Sequence, residues 1–171
     1  MILPFMTHWP DGSETYFIDK IWNSIYGLHI YSEEEFAYQY NFYLNAYKEK
    51  FGVEWSVNQS NLNPKKHTIR LGNRWSAGDN IHMFIHSRSK NMFRFAPVIK
   101  CASTQIIEIK YQGLKQEGSI IPAIKIDGNY LDRTENLRLS HNDGFQSENY
   151  FFNFFNKDFY GQIVHWTNLK Y

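Results

Sequence analysis

The chain has 171 residues, 43% hydrophobic and 20% charged, with a net charge of +1, which indicates neither disorder nor a fibrous repeat and excludes an all-over attraction for phosphate backbone. Domains most often run about 100 to 150 residues, so a single domain is expected. Aromatic content is the outlier: 12 Tyr, 14 Phe and 5 Trp make up 18% of the chain, enough for a ring-filled core, a base-stacking surface or an interface of aromatic anchors.

Residues 2 to 9, ILPFMTHW, predict a first strand closed by the turn Pro10-Asp11-Gly12. Ser13 is then placed to cap a short helix reaching about Ile25, with Phe17, Ile18, Ile21, Trp22 and Ile25 in one stripe at helical spacing. The run SEEEF opens a second helix, 32 to 51. Ser32 and Glu35 form a capping box, the early acids suit the positive end of the helix dipole, and Gly52 stops it. Its face of Phe36, Tyr40, Tyr43, Leu44, Tyr47 and Phe51 serves a helix core by default and a partner surface otherwise. Residues 53 to 64 predict a loop in which Pro64 holds Asn63 extended.

Beyond Pro64 the period changes to two. HTIRL and NIHMFIHS predict strands either side of a polar run ending in Gly78-Asp79, and PVIKCASTQIIEIKY predicts another, bent strand. AIKIDGNYL is a hairpin candidate, because Asp127-Gly128 accepts the positive backbone angles of a tight turn. A last helix is expected from about Ser147 to Phe155, and GQIVHWTNLKY returns as the terminal strand. Strand, two helices, strands, helix and strand amount to an α+β domain with a small curved or closed sheet.

Positive charge is local. Lys65, Lys66, Arg70, Arg74, Arg88, Lys90, Arg94 and Lys100 share the stretch 65–100 with one acid, Asp79. Lys65, Thr68 and Arg70 form K-x-x-T-x-R. A partly buried lysine beside a threonine hydroxyl can draw its proton and make an oxygen nucleophile, and an arginine fork can hold an anionic or carbonyl oxygen. The plainer reading is an exposed basic strand start. Asp143, in HNDGF, is expected at a turn just before a helix, where it either shuttles protons or caps. RSKNMFRFAP interleaves Arg88, Lys90 and Arg94 with Phe93 and Phe95, a mix that tracks a phosphate backbone and stacks bases, or simply forms a hairpin tip. The scattered histidines form no compact ligand set, so no metal and no cofactor is expected. Cys101, the one cysteine, is expected as a small buried hydrophobe. The opening residues lack a secretion signal and no run reaches the roughly 18 apolar residues that span a bilayer, so a soluble cytoplasmic protein is expected, with no membrane partner.

The order of a strand, FIDKIW, KKHTIR, RWSAGD, further strands and NDGFQSENYFFNFF before a closing strand resembles the ASCH family, the activating signal cointegrator homology domains of the PUA-like β-barrel superfamily. The resemblance covers most of residues 2–22 and 63–171 and leaves 23–62 as a helical insertion. It implies a small PUA-like barrel with flanking helices that takes RNA or a modified nucleoside in a basic cleft, with Lys66, Arg70, Arg74, Arg88, Lys90 and Arg94 as nucleic-acid contacts. Some small bacterial members of the family remove the acetyl group from 4-acetylcytidine. By motif position Lys65 matches their lysine, Thr68 their threonine and Asp143 the place of their glutamate, one methylene shorter. In that role Thr68 attacks the amide carbonyl, Lys65 takes its proton and Asp143 protonates the leaving nitrogen. A third reading keeps the scaffold and changes its use, to a structural or assembly protein, for example of a virus particle, that meets a protein partner through its aromatic surface.

Overall fold

The computed structural model describes residues 1–55, 62–111, 115–116, 119–120 and 122–171; the middle of the expected loop, 56–61, lies outside the described residues. In chain order the elements are β1 (Ile2–Phe5), α1 (Phe17–Tyr26), α2 (Glu33–Phe51), β2 (His67–Leu71), β3 (Asn80–Ile85), β4 (Phe93–Arg94), β5 (Ile99–Lys100), β6 (Ser103–Lys110), β7 (Lys115–Gln116), β8 (Ser119–Ile120), β9 (Ala123–Ile126), β10 (Asn129–Tyr130), α3 (Arg133–Asn142), α4 (Glu148–Phe154) and β11 (Phe159–His165). The fold is mixed α and β. It divides into two compact units of interleaved chain, 1–65 with 79–100 and 66–78 with 101–171.

In the first unit β1 runs parallel to β3, from Ile2 opposite His82 to Phe5 opposite Ile85, and β4 and β5 pair antiparallel with β3. The period-two pattern of β3 holds: Ile81, Met83 and Ile85 are buried, His82 and Phe84 less so. The first strand is shorter than expected. Residues 6–15 turn back on themselves instead, with the Thr15 amide bonded to the Thr7 carbonyl and a bridge between His8 and Glu14. Ser13 therefore caps nothing helical: its amide and hydroxyl both donate to the Asp11 carboxylate, and α1 begins only at Phe17, after Tyr16 at φ 53°. The expected apolar stripe of α1 is buried, and the Trp22 indole donates to the Phe95 carbonyl at 3.0 Å.

Both halves of the expected capping box form at α2, and Gly52 ends the helix at φ 73°, where a side chain would be strained. The α2 face packs ring against ring. Phe36, Tyr40 and Tyr43 stand 5.2 to 6.0 Å from Trp22 of α1, and Tyr47 and Phe51 edge against Phe93 of β4. The opposite side leaves Tyr38 and Phe42 exposed. The insertion boundary expected at residue 23 falls inside α1.

In the second unit the sheet order is β10-β9-β6-β11-β2, antiparallel throughout. Ile107, Ile109, Ile124, Ile126, Ile163 and Val164 are buried in it. Asp127 and Gly128, at φ 50° and 86°, make the expected hairpin between β9 and β10. The Asp127 carboxylate accepts from the Ile106 amide and the Gln105 side chain. β7 and β8 pair as a separate two-stranded ribbon. α4 is the expected last helix, capped by Ser147, with Phe151 packed against Phe145 and Phe155.

α3 was not expected. It has few apolar residues to signal it and stands on a second capping box, Asp132 with Glu135. Among the described residues no sheet closes into a barrel. β10 and β2 remain edges of the five-stranded sheet, and a two-residue edge such as β10 offers too short a ladder for closure. Among the described residues no helix is long and apolar enough to cross a membrane.

Candidate functional site

β2 carries Thr68 and Arg70 on one face and His67 on the other, yet His67, Thr68 and Ile69 are all buried. Pairing with β11 sets Thr68 opposite Val164 and Arg70 opposite Gln162. Arg70 is half-buried with its Nε enclosed. Burial pushes its guanidinium down to about 10, against the pull of the Asp143 carboxylate, while Arg74 adds to the depression.

Asp143 stands at a turn ahead of α4, as expected, but it also ends a helix that was not expected. Because α3 exists, the Asp143 amide donates to the Leu139 carbonyl and the residue closes that helix, leaving the N-cap of α4 to Ser147. A carboxylate at a helix C-terminus meets the negative end of the dipole and needs cationic or donor neighbours. The buried side chain finds them in His67, with Oδ1 3.6 Å from Nδ1, and in the field of Arg70. The other nitrogen of His67 lies 2.8 Å from the Tyr171 hydroxyl, which also accepts from the Asn142 amide at 3.0 Å. Which of His67 and Tyr171 donates in this pair is set by the imidazole tautomer. The His165 ring lies 5.2 Å from that of His67. Burial, reinforced by His67, pushes His165 down to about 3, and neither of its nitrogens is hydrogen-bonded among the described residues.

Lys65 belongs to the first unit, whereas Thr68 and Asp143 belong to the second. Its amide donates to the Lys20 carbonyl at 2.9 Å, and its ammonium lies 4.5 Å from the centre of the Phe17 ring with the residue 1% exposed. Lys20, also buried, stands 5.9 Å from the same ring, and burial pushes it down to about 8. Of the residues expected to contact nucleic acid, Arg74, Arg88, Lys90 and Arg94 are exposed and Lys66 is half-buried. Arg88 and Lys90 share the turn between β3 and β4, and Arg94 lies 5.9 Å from the Tyr43 ring. The rings interleaved with these cations turn into the first unit. Phe95 is wholly buried and Phe93 is engaged by Tyr47 and Phe51, because the same alternation that exposes Arg94 turns its neighbours inward.

No known family model, curated protein or solved structure matches this chain. The site is therefore defined by its own residues, and several escaped the sequence. His67, His165 and Tyr171 lie far apart along the chain and have no shared spacing; β11 pairing with β2 puts His165 directly opposite His67. Lys20 left a faint signal as a cation inside an otherwise apolar helical stripe. Cys101 is buried as expected.

Proposed function

We propose that this chain is a binding module of ASCH, PUA-like type that takes RNA or a modified nucleoside at the start of β2, with Lys66, Arg70 and Arg74 as its basic rim. The observation that carries the reading is the set of buried His67, Thr68 and Asp143 with half-buried Arg70 in the second unit. Enclosing a carboxylate and a guanidinium costs several kcal/mol unless they are paired, and perturbed ionisable groups gather at functional sites. A guanidinium fork and a carboxylate in each other's field supply donors and acceptors, the complement of a pyrimidine's carbonyl and exocyclic amine. Exposed Arg74 adds the local positive field that a net charge of +1 lacks. On this reading the five-stranded sheet is an open variant of the family's barrel.

The test is titration of a fluorescent single-stranded RNA, and separately of cytidine and 4-acetylcytidine, at about 50 and 200 mM salt. RNA affinity is expected to fall with salt, and Arg74→Ala to flatten the dependence by about one unit of slope. Affinity indifferent to both would sink the reading. Hydrolysis of 4-acetylcytidine is the second reading, supported by the burial of Thr68 and Asp143 in the second unit. It requires acetate release that disappears in Thr68→Val and in Asp143→Asn.

A further inference from the structure

The first unit holds a hollow of about 190 Å³ that none of the proposed nucleic-acid or catalytic residues lines. Its walls include the carboxylates of Glu14, Asp19 and Glu54 and the rings of Tyr16, Tyr47 and Trp55. Glu54 is already engaged by Lys48 at 2.6 Å. Tyr47 and Trp55 meet at 66° with centroids 5.4 Å apart, so the two rings form a corner rather than a flat wall. The Trp55 indole proton is used by the Tyr40 hydroxyl, which fixes the ring. Among the described residues no lysine or arginine lines the hollow.

We propose that this hollow binds a small organic ammonium cation, with its charge between Asp19 and Glu14 and its alkyl part against Tyr47 and Trp55. The walls exclude the alternatives in turn. An anion would meet carboxylates and no cation. A neutral apolar guest would desolvate Asp19 without replacing its water. Among the described residues no group of His, Cys, Asp or Glu is arranged to hold a metal ion, so the guest is organic. Aromatic rings beside carboxylates attract an ammonium through the ring face and the charge together. The volume suits a short alkylamine, since a cavity on the order of 150 Å³ holds benzene.

Asp19 is the group whose charge the guest would use. Burial first, and then Glu14, push its carboxyl up to about 6, with Lys20 pulling the other way. His8, Tyr47 and Glu54 also face the hollow. Binding is expected to strengthen by about tenfold from pH 5 to pH 7.5 as Asp19 ionises, and Asp19→Asn to remove most of that change.

The experiment is calorimetric titration of the full chain with n-butylamine, putrescine and Nα-acetyl-lysine amide, with 1-butanol as the uncharged control. At least one amine is expected to bind with unit stoichiometry and at least about tenfold more tightly than butanol. Preference for the free amines points to a soluble amine, and preference for the lysine amide to a lysine side chain offered by a peptide; either supports the ammonium site. Asp19→Asn and Trp55→Ala should each weaken binding about tenfold or more. Glu14→Gln, at an exposed position, should weaken it less and keeps the test valid if the others fail to fold. Glu33→Gln, outside the hollow, should leave binding unchanged. Butanol matching the amines, no amine binding, or full affinity in both Asp19→Asn and Glu14→Gln overturns the proposal.

Discussion

Asp143 and His165 owe their chemistry to neighbours that the sequence does not put beside them. The K-x-x-T-x-R pattern was legible, and so was the presence of an acid in HNDGF. That Asp143 ends a helix and faces His67 at 3.6 Å was not, because it depends on α3 and on the register of β2. His165, held near 3, yields a signed prediction. An unfolded histidine takes a proton near pH 6.5 while the folded one does not, so its contribution is intact above pH 6.5 and is lost as pH falls toward 3. Urea unfolding should lose up to about 1.4 kcal/mol per pH unit from this residue, and His165→Phe should show a shallower decline than the parent by that amount. Gly161 makes a second case. A Cβ there would collide with the Arg70 carbonyl oxygen and stand 2.8 Å from the Phe159 ring. Gly161→Ala is expected to cost about 1 to 3 kcal/mol or more, read as a lower urea midpoint, since this strand is paired on both sides.

Helices and turns were readable where local chemistry alone determines them. The capping box of α2, the Gly52 stop and the Asp127-Gly128 hairpin need only a few adjacent residues, and all three form. The start of α1 differs from expectation because Asp11 competes for Ser13, a local rival to helix capping. α3 escapes a reading guided by periodicity, since the only buried apolar residue in this helix is Leu139. Its signal was the box Asp132-x-x-Glu135. Asp132→Ala should cost about 1 kcal/mol and speed amide exchange in the first turn of α3, whereas a helix held by an apolar stripe would tolerate the loss better.

Each of the two compact units is assembled from separated stretches of chain, with consequences for any fragment. β1 has its parallel partner in β3, beyond residue 79, and Leu3 and Phe5 are buried in the unit that Ile81, Met83 and Ile85 complete. A fragment of residues 1–65 is therefore expected to show helical circular dichroism without a cooperative urea transition, while the full chain shows one. A cooperative transition in the fragment would mean that α1 and α2 suffice for a core.

Composition, local charge, helix caps and tight turns follow from residues within a few positions of one another, so the sequence by itself determined a mixed α and β chain with a basic middle and no bulk attraction for phosphate. Pairing between strands nearly a hundred residues apart carries no such local mark. Only the folded chain decided that β11 lies between β2 and β6, that His67 faces Asp143, and that acidic and aromatic residues from separate segments line one hollow in the first unit. The reason is physical: caps and turns satisfy backbone groups nearby, whereas register and burial are chosen by which distant apolar faces fit together.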